Sequence, residues 1–230
     1  MTSTAILIPA RYGSTRFPGK PLTPLGDRPM ICRVVKSCKE ANLPVYVLTD
    51  NQTIGHAAAA SGAEVWCEEI DYKNGTERCA GAIKSSLFDK YDQFINVQGD
   101  MPDVTVEMIE KTVWHLKNYP VTTMCAMMPK EKQNDPNTVK LVRAADKCLW
   151  FGRGMTGYGD WHLGIYGYKR NALEMYPGLT GTREERIEEL EQLRWLKNGW
   201  NIGVFPCEFN GVEINTPEDV RIWNESKQIT

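Results

Sequence analysis

Short apolar runs of β-forming residues alternate with helical segments through the first half of this chain, and that alternation most restricts the folds open to it. Thr4–Ile8, Val45–Leu48, Glu64–Trp66 and Phe94–Val97 read as strands. Between them, Met30–Ala41 has helical spacing, with Ile31, Val34, Val35 and Cys38 on one side. Ile54–Ala60 is an Ala-rich helix stopped near Gly62, and Thr76–Ser86 is also helical. Strand–helix–strand repeats imply right-handed crossovers and a largely parallel sheet covered on both faces. In such sheets ligands bind beyond the carboxyl ends of the strands. Chemistry is therefore expected after Ile8, after Leu48 and after Val97.

The second half is less regular. Val139–Arg143 and Leu163–Tyr168 read as strands that need not run parallel to the rest. The spacing predicts a helix over Arg183–Asn198, with Thr182 and Glu185 as a capping box, Gly199 just past its end, and Ile187, Leu190, Leu193 and Leu196 as its apolar stripe. A last helix starts at Thr216-Pro217-Glu218-Asp219, with Thr216 as N-cap. No internal repeat or linker is evident, so residues 1–230 are expected to form one domain.

Charge narrows the function. Lys plus Arg total 27 against 29 Asp plus Glu, a net charge of -2, which disfavours a nucleic-acid backbone as main partner. No apolar run is long enough to span a bilayer, and Met1–Leu7 lacks the features of a signal peptide, so a cytoplasmic location is expected. The seven cysteines show no CxxC spacing and are expected to be reduced thiols.

The loop Arg11-Tyr-Gly-Ser-Thr-Arg-Phe-Pro-Gly-Lys20 follows the first strand and sets Arg11, Arg16 and Lys20 among small turn-forming residues. Glycines let backbone N–H groups approach phosphate oxygens while the cations neutralise charge. It is not a Walker A loop, because Lys20 precedes Pro21 rather than Ser or Thr, and GxGxxG is absent. Asp100 follows a buried strand in Gln98-Gly99-Asp100, where a carboxylate can hold Mg²⁺ against triphosphate oxygens. Asn74-Gly75-Thr76-Glu77-Arg78 is a glycine turn opening a helix, able to present N–H groups to a base or phosphate. Read alone, His162, Glu191 and Gln192 are ordinary structural residues.

With these residues in view, the chain resembles the CMP-Kdo synthetases (3-deoxy-manno-octulosonate cytidylyltransferases). The resemblance rests on Ile8–Leu22, Asn74–Arg78, Asn96-Val-Gln-Gly-Asp100, His162-Leu-Gly-Ile-Tyr-Gly-Tyr168, Leu190-Glu-Gln-Leu-Arg194 and Thr216-Pro-Glu-Asp219, in that order along nearly the whole chain. It implies an α/β fold with a mostly parallel, Rossmann-like sheet of the nucleotide-diphospho-sugar transferase (glycosyltransferase-A-like) type, and a small mixed sugar-binding and dimerisation portion at approximately 129–205. It implies that Arg11, Ser14 and Lys20 bind the CTP phosphates, with Ala10, Asn74, Gly75, Arg78 and Gln98 near cytosine and ribose. Lys20, Asp100 and Arg11 carry catalysis, and Asp100 binds Mg²⁺. Arg16, Arg153, His162, Tyr166, Glu191 and Gln192 hold the sugar acid. The implied reaction joins CTP and Kdo to give CMP-Kdo and pyrophosphate, for lipopolysaccharide or capsule-type glycans, by a cytoplasmic homodimer.

Three positions depart from the family pattern. Asn215 stands where a second, aspartate metal ligand is usual, so a neutral amide would take that place. Gly154–Trp161 is short for the segment before His162, and Gly152 replaces a usual Ser. These departures keep two other readings open: CMP transfer to another acidic keto-sugar, such as 8-amino-Kdo or a nonulosonate, and a non-catalytic homologue that binds nucleotide or sugar.

Overall fold

Every residue of Thr4–Ala10 (β1) is buried, because β1 lies inside a sheet with apolar residues on both faces. The computed structural model describes residues 2–13 and 17–228. In chain order, β1 is followed by a small ribbon of β2 (Pro24–Leu25) and β3 (Arg28–Pro29), then α1 (Met30–Lys39), β4 (Val45–Thr49), α2 (Gln52–Ala60), β5 (Glu64–Cys67), α3 (Gly75–Ala82) and β6 (Gln93–Val97). Next come α4 (Val106–His115), β7 (Val121–Ala126), β8 (Lys140–Ala144), β9 (Lys147–Gly152) and β10 (Asp160–Lys169). The chain closes with α5 (Arg170–Met175), α6 (Arg183–Glu188), α7 (Leu193–Lys197), β11 (Ile202–Pro206) and α8 (Pro217–Gln228).

Among the described residues one nine-stranded sheet runs β5-β4-β1-β6-β10-β7-β11-β9-β8. The expected parallel arrangement holds for β5, β4, β1 and β6. Beyond β6 the sheet becomes mixed, because β10 enters antiparallel between β6 and β7. The stretch 129–205 is therefore woven into the main sheet through β10 and β11, with the β8–β9 hairpin at its edge.

Side chains alternate across β1 as a period of two requires. Ala5 and Leu7 join a core with Tyr46, Phe88, Phe94, Tyr168 and Trp195. Ile6 and Ile8 face the other core, with Val34, Val47, Ile54, Ile95 and Ile109. A third cluster, Leu25, Met30, Ile214 and Trp223, fastens α8 against the β2–β3 ribbon and α1.

One sequence expectation is corrected. Arg183–Asn198 is not a continuous helix: α6 ends at Glu188, Glu189 takes a left-handed conformation at φ 52°, and α7 starts at Leu193. The capping box of Thr182 and Glu185 is present as read. Ile187 is exposed instead of joining an apolar stripe. The break has a tertiary cause: Gln192 is buried, and Glu191 is drawn away to bond the start of α3.

Candidate active site

The chain runs from β1 outward to β4 and β5, then returns to place β6 on the other side of β1. That reversal opens a crevice at the carboxyl ends of β1 and β6, where open α/β sheets take ligands. A cleft of about 790 Å³ lies there, lined by Ala10 and Arg11 after β1 and by Gln98 and Asp100 after β6. The two strand ends approach closely, since a Cβ on Gly99 would lie 3.1 Å from the Pro9 carbonyl oxygen.

Lys20 is aimed into this crevice by its backbone. Gly19 adopts φ 70°, a left-handed conformation that favours glycine, and opens the single turn Lys20–Leu22. Lys20 Nζ then donates to Asp100 Oδ2 at 2.7 Å and to the Ile214 carbonyl at 3.1 Å. The Ile214 N–H donates in turn to the Asp100 carbonyl at 2.9 Å. Three segments far apart in sequence are thus fastened at one ammonium group.

Beside this clamp, α3 points its first turn at the cleft. Asn74 caps it, its side-chain oxygen accepting from the Glu77 N–H at 2.8 Å. Arg78 is buried, and its guanidinium donates to Asp50 Oδ2 at 3.1 Å. Its buried Nη1 group has no hydrogen-bond partner among the described residues, and Arg78 is part of the cleft wall. Buried polar groups are nearly always paired, so an unpaired one in a residue of the cleft wall is a candidate donor to a bound ligand. Asp50 also accepts from the Tyr12 N–H at 3.0 Å and so tethers the start of the Arg11 loop.

The other end of the cleft is built by β10, the end of β9 and the break between α6 and α7. His162 Nε2 lies 3.1 Å from the Thr123 hydroxyl, and its ring packs edge-on to Phe151. Burial, with Arg153 adding to it, pushes the imidazole down to about 3, so it is neutral at physiological pH. The Arg153 guanidinium is oriented by carbonyls, donating to Glu188 at 3.2 Å and Asn137 at 2.7 Å. Glu191 Oε1 accepts from the Thr76 N–H at 3.1 Å and the Thr76 hydroxyl at 2.6 Å. Burial raises the Glu191 carboxyl, and these bonds from Thr76 oppose the rise.

Each predicted site residue that the structure describes lines this one cleft, including Asn74, Gly75, Tyr166, Gln192 and Asn215. Ser14 and Arg16 lie outside the described residues. Three cleft acids, Glu185, Glu189 and Glu213, were not among the sequence candidates, and neither was Asp50, which braces the wall through Arg78. Asp50 follows a strand end, a position the alternation already marks as chemical. Glu213 stands two residues before Asn215, and its carboxyl is pushed up to about 7 by burial and by the charge of Asp100. Glu189 lines the cleft from the left-handed break.

The comparisons with known proteins follow the same lines. A cytidylyltransferase family profile matches residues 5–202. The chain belongs to the cytidylyltransferase family. An 8-amino-3,8-dideoxy-manno-octulosonate cytidylyltransferase of Shewanella halifaxensis is 38% identical over 96% of this chain and 96% of its own length. The Shewanella oneidensis protein of the same name is 36% identical over 95% and 96%. Among solved structures, CMP:2-keto-3-deoxy-manno-octonic acid synthetase complexed with CTP superposes with a TM-score of 0.88 at 31% identity, covering all of both chains (100% and 100%). A 4-diphosphocytidyl-2C-methyl-D-erythritol synthase from Anaerococcus prevotii, at 13% identity and a TM-score of 0.66, shares the fold. This cytidylyltransferase thus has the fold of the CMP-Kdo synthetase structure, and the CMP-Kdo resemblance read in its sequence holds.

Proposed function

We propose that this cytidylyltransferase transfers CMP from CTP to 8-amino-3,8-dideoxy-manno-octulosonate, releasing pyrophosphate. The observation that carries the transfer reaction is the Lys20–Asp100–Ile214 clamp at the strand reversal, beside the orphaned Arg78 Nη1 group. The amino sugar is supported by the names of the relatives above and by Glu189. That sugar carries a carboxylate and an ammonium group at opposite ends. Arg153 and Arg186 line the cleft toward an anion, and Glu189 lines it with no ion pair among the described residues. The second reading is Kdo itself, placed first by the sequence and favoured by the 31% identical CMP-Kdo synthetase structure.

Magnesium fits the donors present. Asp100 is a hard oxygen donor, and the charge it exerts on Glu213 marks an anionic end that a cation would relieve. No group of three or more His, Cys, Asp or Glu among the described residues gathers to hold a metal alone. Mg²⁺ commonly keeps water and takes one or two carboxylates with substrate phosphates, so Asp100 and the amide of Asn215 suffice as anchors. When bound, the ion neutralises and orients the triphosphate.

The chain's own residues do the positioning. Arg11 and Lys20 bring positive charge to the phosphates, Lys20 keeping a third N–H free of Asp100 and the Ile214 carbonyl for a phosphate oxygen. Arg78 Nη1 and the first turn of α3 offer donors to the nucleoside. His162, neutral, and Tyr166 orient the sugar hydroxyls. The anomeric hydroxyl attacks the α-phosphorus in line and pyrophosphate leaves, a reaction that needs charge neutralisation and alignment rather than a protein nucleophile. The activated sugar would feed assembly of a lipopolysaccharide or capsule-type glycan.

Pyrophosphate release with CTP and Mg²⁺ tests this, with the amino sugar, Kdo or no sugar added and Asp100→Ala as control. Sugar-dependent release lost in D100A is expected, with the amino sugar preferred. Preference for Kdo replaces the acceptor and keeps the chemistry; silence with both sugars overturns the transfer reading.

A further inference from the structure

The anionic end of the cleft contains one carboxylate more than the magnesium reading uses. Ile214 packs into the cluster of Leu25, Met30 and Trp223, while its neighbours Glu213 and Asn215 both line the cleft. The segment is pinned directly to Asp100 by the 2.9 Å bond from the Ile214 N–H and to Lys20 through the Ile214 carbonyl. The segment that carries Glu213 into the cleft is therefore held against Asp100 through the backbone of the next residue.

The Glu213 carboxylate is also fixed from the opposite side. Its Oε1 accepts from the Gly164 N–H at 3.1 Å and its Oε2 from Trp161 Nε1 at 3.1 Å. Both donors are neutral, and each oxygen retains a further acceptor position. No ion pair reaches Glu213 among the described residues, and Lys132 acts on it only at a distance. Of the two carboxylates, only Asp100 is bonded to an ammonium group, Lys20, among the described residues. Asn215 supplies an amide oxygen and no charge.

We propose that Glu213 is the second anionic group holding the cation at this end of the cleft, paired with Asp100 across the Ile214 backbone. The proposal rests on the magnesium reading above. Asn215 then needs only to be a neutral donor, and the carboxylate charge at the site comes from two residues upstream. Because the same carboxylate grips Trp161 and Gly164, it also ties the cation end to the strand that carries His162.

Mn²⁺ affinity in the presence of CTP, read by electron paramagnetic resonance of the free ion, tests the proposal without relying on turnover. Glu213→Gln is expected to weaken Mn²⁺ binding by about tenfold or more, the scale of losing a group that supports a metal site. Adding Asn215→Asp to E213Q returns a charge to the site and is expected to recover most of the loss. Wild-type Mn²⁺ affinity in E213Q, with D100N weakened, overturns the role of Glu213 and leaves the magnesium reading standing. Unchanged affinity in D100N overturns both. If E213Q does not fold, Glu213→Asp keeps the charge but withdraws it by one methylene, and several-fold weaker binding is expected; unchanged affinity overturns the proposal.

Discussion

The Thr76 hydroxyl donates to Glu191 Oε1 at 2.6 Å, fastening the break between α6 and α7 to the first turn of α3. The same oxygen takes the Thr76 N–H, one of the helix donors left without an intrahelical partner. Glu191→Ala leaves that N–H donor unsatisfied and the hydroxyl with Tyr168 alone as partner. We expect a loss of roughly 1–3 kcal/mol in urea unfolding, with Glu191→Gln less costly because its amide oxygen can still accept. Equal stability of E191A and the wild type would show that the bond is not held in solution.

Lys20 is the only cation bonded to Asp100 among the described ion pairs. Lys20→Ala removes the charge proposed to meet the triphosphate and leaves Asp100 without its ion-pair partner. Pyrophosphate release should fall by about a hundredfold or more, the scale of losing one preorganised electrostatic contact to a developing charge. A K20A enzyme within a few-fold of wild type would place the phosphates elsewhere.

Glu189 should discriminate between the two acceptors. An ammonium group facing it loses its counter-charge in Glu189→Gln, whereas an 8-hydroxyl loses little. The KM for the amino sugar is expected to rise by about tenfold, with the KM for Kdo unchanged, since charge pairs of this kind are worth on the order of 1–2 kcal/mol in a partly desolvated cleft. An equal effect on both sugars in side-by-side kinetics would remove Glu189 from the choice of acceptor.

His162 makes stability pH-dependent. Its folded-state pKa is lowered to about 3 from an ordinary 6.5, by burial and by the nearby Arg153. The unfolded chain binds the proton first, so this contribution is fully present above pH 6.5 and is lost as pH falls toward 3. Between pH 7 and pH 5 the loss attributable to His162 is about 2 kcal/mol. Urea midpoints across that range should fall less steeply in His162→Gln. An identical slope would mean that another group governs the dependence.

Much of the parallel half was legible in the sequence because burial on both faces leaves continuous apolar runs, as in Ile6-Leu7-Ile8 and Val45–Leu48. α4 and β7 are not legible in the same way: Val121-Thr-Thr-Met-Cys-Ala126 hides a fully buried strand behind threonines whose hydroxyls find partners only in the folded sheet. Arg183–Asn198 misled for a related reason. Its apolar spacing suits a helix, but the bond from Thr76 to Glu191 and the burial of Gln192 outweigh local propensity. Lys20, Arg78 and Asp100 were found because they stand at strand or helix ends. Glu213 was not, because its neighbours across the cleft, Trp161 and Gly164, are distant in sequence and meet it only through β10.

The ladder between β6 and β10 sets Asn96 opposite Tyr166 and Val97 opposite Ile165, while the short segment 154–161 lies upstream of that pairing. Residues 154–159 precede β10, whereas Asp160 and Trp161 already pair with β8, so a change of length confined to 154–159 leaves the register of Tyr166 against β6 as it is. Chain length in this connection is thus uncoupled from the strand pairing that sets the two sides of the cleft against each other.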